Sequence, residues 1–263
     1  MKFTIVTPIY NTDIYIKRCV ESVVRQTETD WEWIFVDDCS TDNSICFVKD
    51  IVSEFSIADK VRFLKTEKNS GPGEARNVGL RMALGTYIVF IDSDDWIEPN
   101  YLELLHSAMA DTMDFSYCQA LEHNGNVKKM LVNPHYSSQK QLLCGYVGRI
   151  WTCMFRTSFL RENNIEFPPY RAAEDSAFFA ACIIATDKIA SIENVLYHYV
   201  FYPQSVSHKH DPYKTQQKKA SFKWLIKYAK DKGLFGTFAL QLSFIYIKKA
   251  IAVPFIERIK KLL

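Results

Sequence analysis

The sequence predicts a doubly wound α/β fold, a sheet with helices on both faces, and three observations predict it. Short runs of β-branched and aromatic residues alternate with segments whose apolar residues recur at helical spacing. Each run is apolar without alternation, as in parallel strands covered by helices on both sides. Each of the first, second and fourth runs also ends in a polar or acidic tip, and in such sheets ligands bind beyond the carboxyl ends of the strands. At 263 residues and 48% hydrophobic content the chain can hold one large domain, or a domain with an appendage.

Taken in order, Phe3-Thr4-Ile5-Val6-Thr7-Pro8-Ile9 reads as the first strand, stopped by Pro8 and the Tyr10-Asn11 turn. Ile16, Val20, Val23 and Val24 then predict a helix from about Ile14 to Gln26. Trp33-Ile34-Phe35-Val36 is the second strand and ends in Asp37-Asp38; Thr41 or Asp42 caps the next helix, which runs to about Phe55. Val61-Arg62-Phe63-Leu64 is a third strand. Asn69-Ser70-Gly71-Pro72-Gly73 is a flexible turn leading into a helix from Glu74 to about Leu84. Ile88-Val89-Phe90-Ile91 is the fourth strand, and three carboxylates, Asp92, Asp94 and Asp95, follow it within four positions.

Carboxylates this close repel one another unless a cation neutralises them, and oxygen-only ligands favour Mg²⁺ or Mn²⁺ over zinc. The alternative is a solvated acidic turn in which Asp94 or Asp95 caps the helix that begins near Pro99. Tyr10-Asn11, Asp37-Asp38 and the acids from Asp92 to Asp95 would share one edge of the sheet and converge on one ligand. The chain has neither Gly-x-Gly-x-x-Gly nor a P-loop, which removes the commonest dinucleotide and triphosphate cradles. Arg76, one turn into its helix, is placed to reach a diphosphate.

Four motifs then carry a resemblance: Thr7-Pro8-Ile9-Tyr10-Asn11, Val36-Asp37-Asp38-Cys39-Ser40-Thr41-Asp42, Ala75-Arg76-Asn77-Val78-Gly79-Leu80 and Asp92-Ser93-Asp94-Asp95. In this order and at these intervals they resemble the inverting family 2 glycosyltransferases over roughly residues 1–210. The resemblance implies the GT-A fold, a Rossmann-like mixed sheet, with a nucleotide-sugar half over 1–98 and an acceptor half over 99–210. It implies that Pro8 and Tyr10 border the nucleotide base, that Asp38 accepts a hydrogen bond from it, and that Arg76 lies near base and diphosphate. Asp92, Ser93 and Asp94 match the family's Asp-x-Asp element, which contacts ribose and binds the metal on the diphosphate, with Asp95 as a further metal ligand. Asp37 reads equally well as a strand-end acid with local hydrogen bonds.

The second half supplies acceptor chemistry by the same resemblance. Glu174-Asp175 opens an apolar helix running to about Ala185; two acids in a first helical turn suit the dipole without any chemistry, but in the family such a pair supplies the base. That points to Asp175 as base and Glu174 beside the acceptor. Ala173 precedes the pair where the family usually has glycine. Ile150-Trp151-Thr152-Cys153-Met154-Phe155-Arg156 resembles the family's Trp-Asn-Lys segment but lacks the Asn and Lys, so only Trp151 is carried over, as an acceptor contact. Tyr197-His198-Tyr199 and the Ser205-Val206-Ser207-His208 loop resemble the later strand and diphosphate loop, with His208 completing the metal shell or contacting phosphate.

Seven cysteines without a Cys-x-x-Cys pair suggest neither disulfide framework nor zinc site and fit a reducing, cytoplasmic setting. The first residues run straight into a polar turn, too soon for a signal-peptide apolar region. The net charge of +2 conceals a split: residues 214–263 hold 12 basic and 2 acidic residues, and the rest 20 basic and 28 acidic. The tail, 211–263, therefore reads as a basic amphipathic extension, with Lys219, Lys223, Lys227 and Lys230 opposite Phe222, Leu225, Ile226 and Ala229. An anionic membrane surface is its expected partner, peripheral on the inner face of the cell membrane. No nucleic-acid motif accompanies the charge. A solvated helical bundle is the plainer alternative, and monomer and homodimer are both left open.

The expected function is metal-dependent inverting transfer of a hexose or N-acetylhexosamine from a UDP-sugar to a bacterial surface glycan or lipid-linked acceptor, with Mn²⁺ or Mg²⁺. Rival readings are a metal-dependent phosphohydrolase or nucleotidyltransferase, and a non-catalytic nucleotide-sugar-binding module. Hydrolases of the haloacid type carry their Asp-x-Asp at the end of the first strand, where this chain has Thr7-Pro8-Ile9-Tyr10; the binding module leaves Glu174-Asp175 without a purpose.

Overall fold

The structure, a computed structural model, describes residues 1–12, 15–110, 112–133, 135–136, 138–145, 148–202 and 212–248. Strands β1 (Phe3–Ile9), β2 (Trp31–Asp37), β3 (Val61–Lys65) and β4 (Tyr87–Phe90) alternate with helices α1 (Ile16–Val24), α2 (Ser44–Glu54) and α3 (Pro72–Met82). β1 lies between β2 and β4, β3 flanks β2, and all four run parallel. This is the unit the alternation predicts. Successive strand residues feed two cores: Ile5, Phe35 and Val89 pack with Val20 and Val48 on one face, Val6, Ile34 and Ile88 with Leu80 on the other. Burial on both faces is why the runs are continuously apolar. At the start of α2, the Asp42 carboxylate accepts the Ser44 N–H at 3.0 Å, as expected of a helix start.

Beyond β4 the topology changes. The chain continues through β5 (Trp96–Ile97), α4 (Tyr101–Met109), β6 (Phe115–Asn124), β7 (Val127–Leu131), α5 (Gln139–Gly145), β8 (Cys153–Arg156), α6 (Thr157–Glu162), α7 (Glu174–Ala185) and β9 (Ile189–Val200). β8 inserts antiparallel between β4 and β6, β9 runs parallel to β6, and β5 closes the sheet antiparallel to β9, in the order β3-β2-β1-β4-β8-β6-β9-β5 with β7 on β6. The sheet is therefore mixed.

Aromatic packing sets the start of α7 against the end of β4. Phe178 stacks on Phe167 at 4.0 Å between centroids and meets Phe90 edge-on at 5.9 Å. Glu174, one turn earlier, is thereby held beside Asp92, two residues past Phe90.

Helices α8 (Pro212–Asp231) and α9 (Phe235–Ile245) follow. Lys219, Lys223, Lys227 and Lys230 are exposed, as the periodicity predicts. The opposite face packs on the protein itself: Phe222, Leu225 and Ala229 are buried in the same core as Phe178, and the Ser221 hydroxyl donates to the Ala172 carbonyl at 2.7 Å. Apolar periodicity reports that a face is covered, not what covers it. No helix among the described residues is long and apolar enough to cross a membrane.

Candidate active site

The tips of β1 and β2 are knitted together by short polar side chains. Asn11 accepts the Thr41 N–H at 2.9 Å, and the Thr12 N–H donates to Ser44 Oγ at 2.7 Å. Asp37 accepts the Ser40 N–H at 2.7 Å and lies 3.4 Å from the Lys65 ammonium, so it is the local strand-end acid. Asp38 is buried and holds the β3–α3 turn: Oδ1 accepts from Thr66 Oγ1 (2.8 Å) and the Ser70 N–H (2.9 Å), Oδ2 from the Gly71 N–H (2.7 Å). Gly71 has φ +92°, a left-handed conformation that suits glycine, and Arg171 lies where a side chain would extend. Pro8 is half-buried and Tyr10 is 43% exposed beside this tip.

The tip of β4 is built differently. Asp92 Oδ1 accepts from Arg76 Nη2 at 2.6 Å, and Arg76 Nη1 lies 3.7 Å from Glu174 Oε1. The guanidinium, with 6% of its side chain exposed, is thus a strut between β4 and α7. Burial opposes its charge, but Asp92 and Glu174 more than offset that and raise its pKa. Its Nε and Nη1 are buried without a hydrogen-bond partner. Gly73 makes room for this: a Cβ there would sit 3.0 Å from Glu174 Cγ.

The surrounding acids differ in how they are satisfied. Burial and the neighbouring Asp92 push the Asp94 carboxyl up to about 6. Burial and Asp175 push Glu174 up to about 7, against the pull of Arg76. Asp175, less buried, accepts the Ser176 N–H at 2.6 Å. Ser93 is buried. Asp95, expected among the metal ligands, turns away: Oδ2 accepts from Tyr197 Oη and Oδ1 from the Val200 N–H, both at 2.8 Å. It is fully buried, and its carboxylate pins the turn after β4 to β9. Adjacent acids in a tight turn cannot all face one way. His208 lies outside the described residues.

Trp151 stacks on Tyr197 at 4.4 Å and lies nearly parallel to Tyr199 at 5.6 Å, an aromatic wall beside these acids. Two residues of the site carry more than the sequence reading gave them. Tyr197 links Asp95 to the Asp92 N–H, which donates to its Oη at 3.2 Å. Asn77 exchanges two bonds with the backbone of Phe167, at 2.9 and 2.8 Å, and so ties the segment before α7 to α3. Both fall inside quoted motifs, but only coordinates show what they join. Asp92, Arg76, Glu174 and, beside them, Asp94 and Asp175 therefore share one rim, while Asp38 reaches it through the turn that opens α3. A groove of about 500 Å³ lined by Leu80, Arg81, Arg161, Glu166 and Trp224 contains none of them.

The donor set suits a hard divalent cation. Asp92 and Asp94 are neighbouring carboxylates, one destabilised in its charged form, and Mg²⁺ or Mn²⁺ is commonly held by one or two carboxylates together with substrate phosphates. Among the described residues no group of three potential ligands is placed to hold a metal ion.

Several known proteins are similar. Bacillus subtilis (strain 168) EpsH is 31% identical over 216 residues, 77% of this chain and 62% of its own length. Staphylococcus aureus (strain Mu50) TarS, a poly(ribitol-phosphate) β-N-acetylglucosaminyltransferase, is 30% identical over 207 residues, 76% of this chain but 35% of TarS, so the chain spans about a third of that relative. The crystal structure of TarS 1–349 in complex with UDP-GlcNAc superposes with a TM-score of 0.73 at 23% identity, covering 86% of this chain and 67% of that one. The mannosyltransferase PcManGT from Pyrobaculum calidifontis, in complex with GDP-Man and Mn²⁺, gives 0.68 at 18% identity, covering 97% and 71%. At these identities the superpositions show the fold, and it is the GT-A arrangement of a parallel unit continued into a mixed sheet. Since the family model described as glycosyl transferase family 2 matches residues 4–170, and β1 to β4 carry its motifs at one rim, the chain belongs to glycosyl transferase family 2.

Proposed function

We propose that the protein transfers a hexose or N-acetylhexosamine, with inversion, from a UDP-sugar to a hydroxyl of a bacterial surface glycan or lipid-linked acceptor. The observation that carries this reading is the buried contact of Arg76 with both Asp92 and Glu174, 2.6 and 3.7 Å away. It joins donor-side acids to acceptor-side acids that lie some 80 residues apart in the chain. The poly(ribitol-phosphate) relative and its UDP-GlcNAc complex favour a UDP-linked donor and a cell-surface polymer as acceptor. The free state of all seven cysteines suits a cytoplasmic setting.

In this reading Pro8, Tyr10 and Asp38 border the base, and the Asp38 carboxylate keeps lone pairs for it beyond those used by the turn. Asp92 and Ser93 face the ribose, and Asp94 with Asp92 would hold Mn²⁺ or Mg²⁺, which when bound neutralises charge on the departing diphosphate. Asp175 takes the proton of the acceptor hydroxyl as that oxygen bonds to the anomeric carbon and the bond to the diphosphate breaks. Glu174, adjacent to it, lies beside the acceptor. Trp151 offers the acceptor sugar an apolar face.

The test is incubation of the purified protein with a panel of nucleotide sugars, with and without Mn²⁺, scoring donor hydrolysis. Metal-dependent turnover of one UDP-sugar, lost in Asp94→Ala, is expected. Asp175→Asn should keep UDP affinity while turnover falls roughly 10²- to 10⁴-fold. Absence of turnover with every donor, or loss of UDP binding in Asp175→Asn, would overturn the reading or the base assignment respectively.

A further inference from the structure

The face of α9 that looks away from the core is unusual for a surface helix. Phe238, Leu242 and Ile245 are buried in the core, as an amphipathic helix requires. Yet the outward side carries Leu240, Phe244 and Ile247, which are 82%, 49% and 55% exposed. Leu240 and Phe244, four residues apart, lie on one face of α9, and Ile247 follows in the π-helical turn 246–248 that continues the helix. No charged residue occurs from Leu234 through Ile247, and a solvated surface helix normally carries several. One lysine lies against the stripe itself and another, from α8, over the first residue of α9. Lys230 Nζ lies 5.1 Å from the Phe235 ring centroid, and Lys248 Nζ 5.6 Å from that of Phe244.

We infer that α9 is a membrane-docking helix, whose Leu240, Phe244 and Ile247 enter the headgroup boundary of an anionic lipid bilayer while Lys230 and Lys248 reach the phosphates. An apolar stripe with lysines whose stems lie along it is the pattern of a helix lying in an interface plane. The charge fits that partner: residues 212–248 contain eight lysines and one acid, Asp231. A second copy of the chain fits less well. The helix is about 16 Å long, its stripe has three large side chains, and a stable dimer buries roughly 800 Å² per partner. Two such lysine-rich surfaces would also repel each other. The docking helix is thus α9, and not α8, whose apolar side the core has taken. Docking is independent of the transfer reaction, because it requires neither donor nor acceptor.

The experiment is cosedimentation of the full chain with sucrose-loaded vesicles of phosphatidylglycerol and phosphatidylcholine, and with vesicles of phosphatidylcholine alone. Binding to the anionic vesicles, weakened by salt, is expected, with little to the zwitterionic ones. The triple variant Leu240→Ser/Phe244→Ser/Ile247→Ser should lower the partition coefficient roughly tenfold or more while melting at the parent's temperature. If that variant fails to fold, Leu240→Trp replaces it, and its added indole emission should be quenched by brominated lipid. Wild-type failure to bind anionic vesicles, undiminished binding by the triple variant, or added indole emission that brominated lipid leaves unquenched would overturn the inference. So would a sedimentation experiment in which the wild type is a dimer without vesicles, the triple variant a monomer, and neither binds lipid.

Discussion

Asp38, at the end of β2, and Asp94, after β4, are acids on the same rim with opposite surroundings. Around Asp38 the chain has gathered three donors, two of them backbone N–H groups of the turn that opens α3. Around Asp94 it has gathered other acids, and burial with Asp92 lifts its carboxyl to about 6. Asp38 is integral to the fold, whereas at Asp94 burial and Asp92 outweigh the pull of its own N–H, Arg76 and Arg18 on the charged form. Local conflicts of the second kind concentrate where a ligand is to complete the structure. Asp95, next in sequence to Asp94, stands between the two: it has two donors from β9, yet burial and the neighbouring Asp94 and Asp92 still hold its carboxyl well above the usual range.

Mutation separates the two classes. Asp38→Ala should destabilise the protein by about 3 kcal/mol or more, since it strands buried donors that a charged acceptor had satisfied. Asp94→Asn should cost nothing measurable at pH 7, while removing metal-dependent donor turnover. Urea unfolding of both variants measures this, and similar losses in the two would abolish the distinction drawn between the tips.

How far the sequence could be read follows the same division. The parallel unit β1 to β4 was legible because each strand, its helix and its polar tip are contiguous, so periodicity and turn chemistry report on them directly. The sheet beyond β4 was not: β6 pairs with β9 some 75 residues on, and β8 enters between β4 and β6, contacts with no local signature. Among the site residues, Asp92, Arg76 and Glu174 were legible as motif members but their mutual contact was not. The direction of the Asp95 carboxylate was equally hidden, being decided by Tyr197 and Val200, about a hundred residues later. In α8 the lysine stripe is legible from periodicity, whereas the core against which Phe222, Leu225 and Ala229 pack is not.

Glu174 gives a second, smaller handle, through pH. Its carboxyl titrates near 7 in the folded protein against an ordinary value of 4.5, because burial and Asp175 outweigh Arg76. Between these values the native state keeps a proton the unfolded chain has lost, so stability falls as pH rises through the window and levels off above about 7. Glu174→Gln should flatten this fall, narrowing the stability difference between about pH 4.5 and pH 8 by roughly 2 kcal/mol. Denaturant midpoints of both proteins across that range provide the measurement. An unchanged slope would mean that Arg76 keeps Glu174 ionised, and that the acceptor-side acids are as well satisfied as Asp38.

The smallest expected effect comes from the residue that sets the direction of those acids. Ala173 precedes α7 with φ +59° and ψ +23°, a left-handed conformation unfavourable for any residue with a side chain. It is the position where the family usually has glycine, and the backbone has kept the shape that glycine allows. Ala173→Gly relieves the left-handed strain but adds freedom to the unfolded chain and removes a methyl packed against the core. The net gain should be about 0.5 kcal/mol, seen as a small rise in melting temperature, with the pH profile of Glu174 unmoved. A loss of about 1 kcal/mol would instead show that the methyl contact outweighs the strain, so that alanine here is an adaptation of this core rather than a tolerated departure from glycine. A shift in the pH profile would mean that the bend at residue 173, and not Arg76, fixes how deeply Glu174 is set.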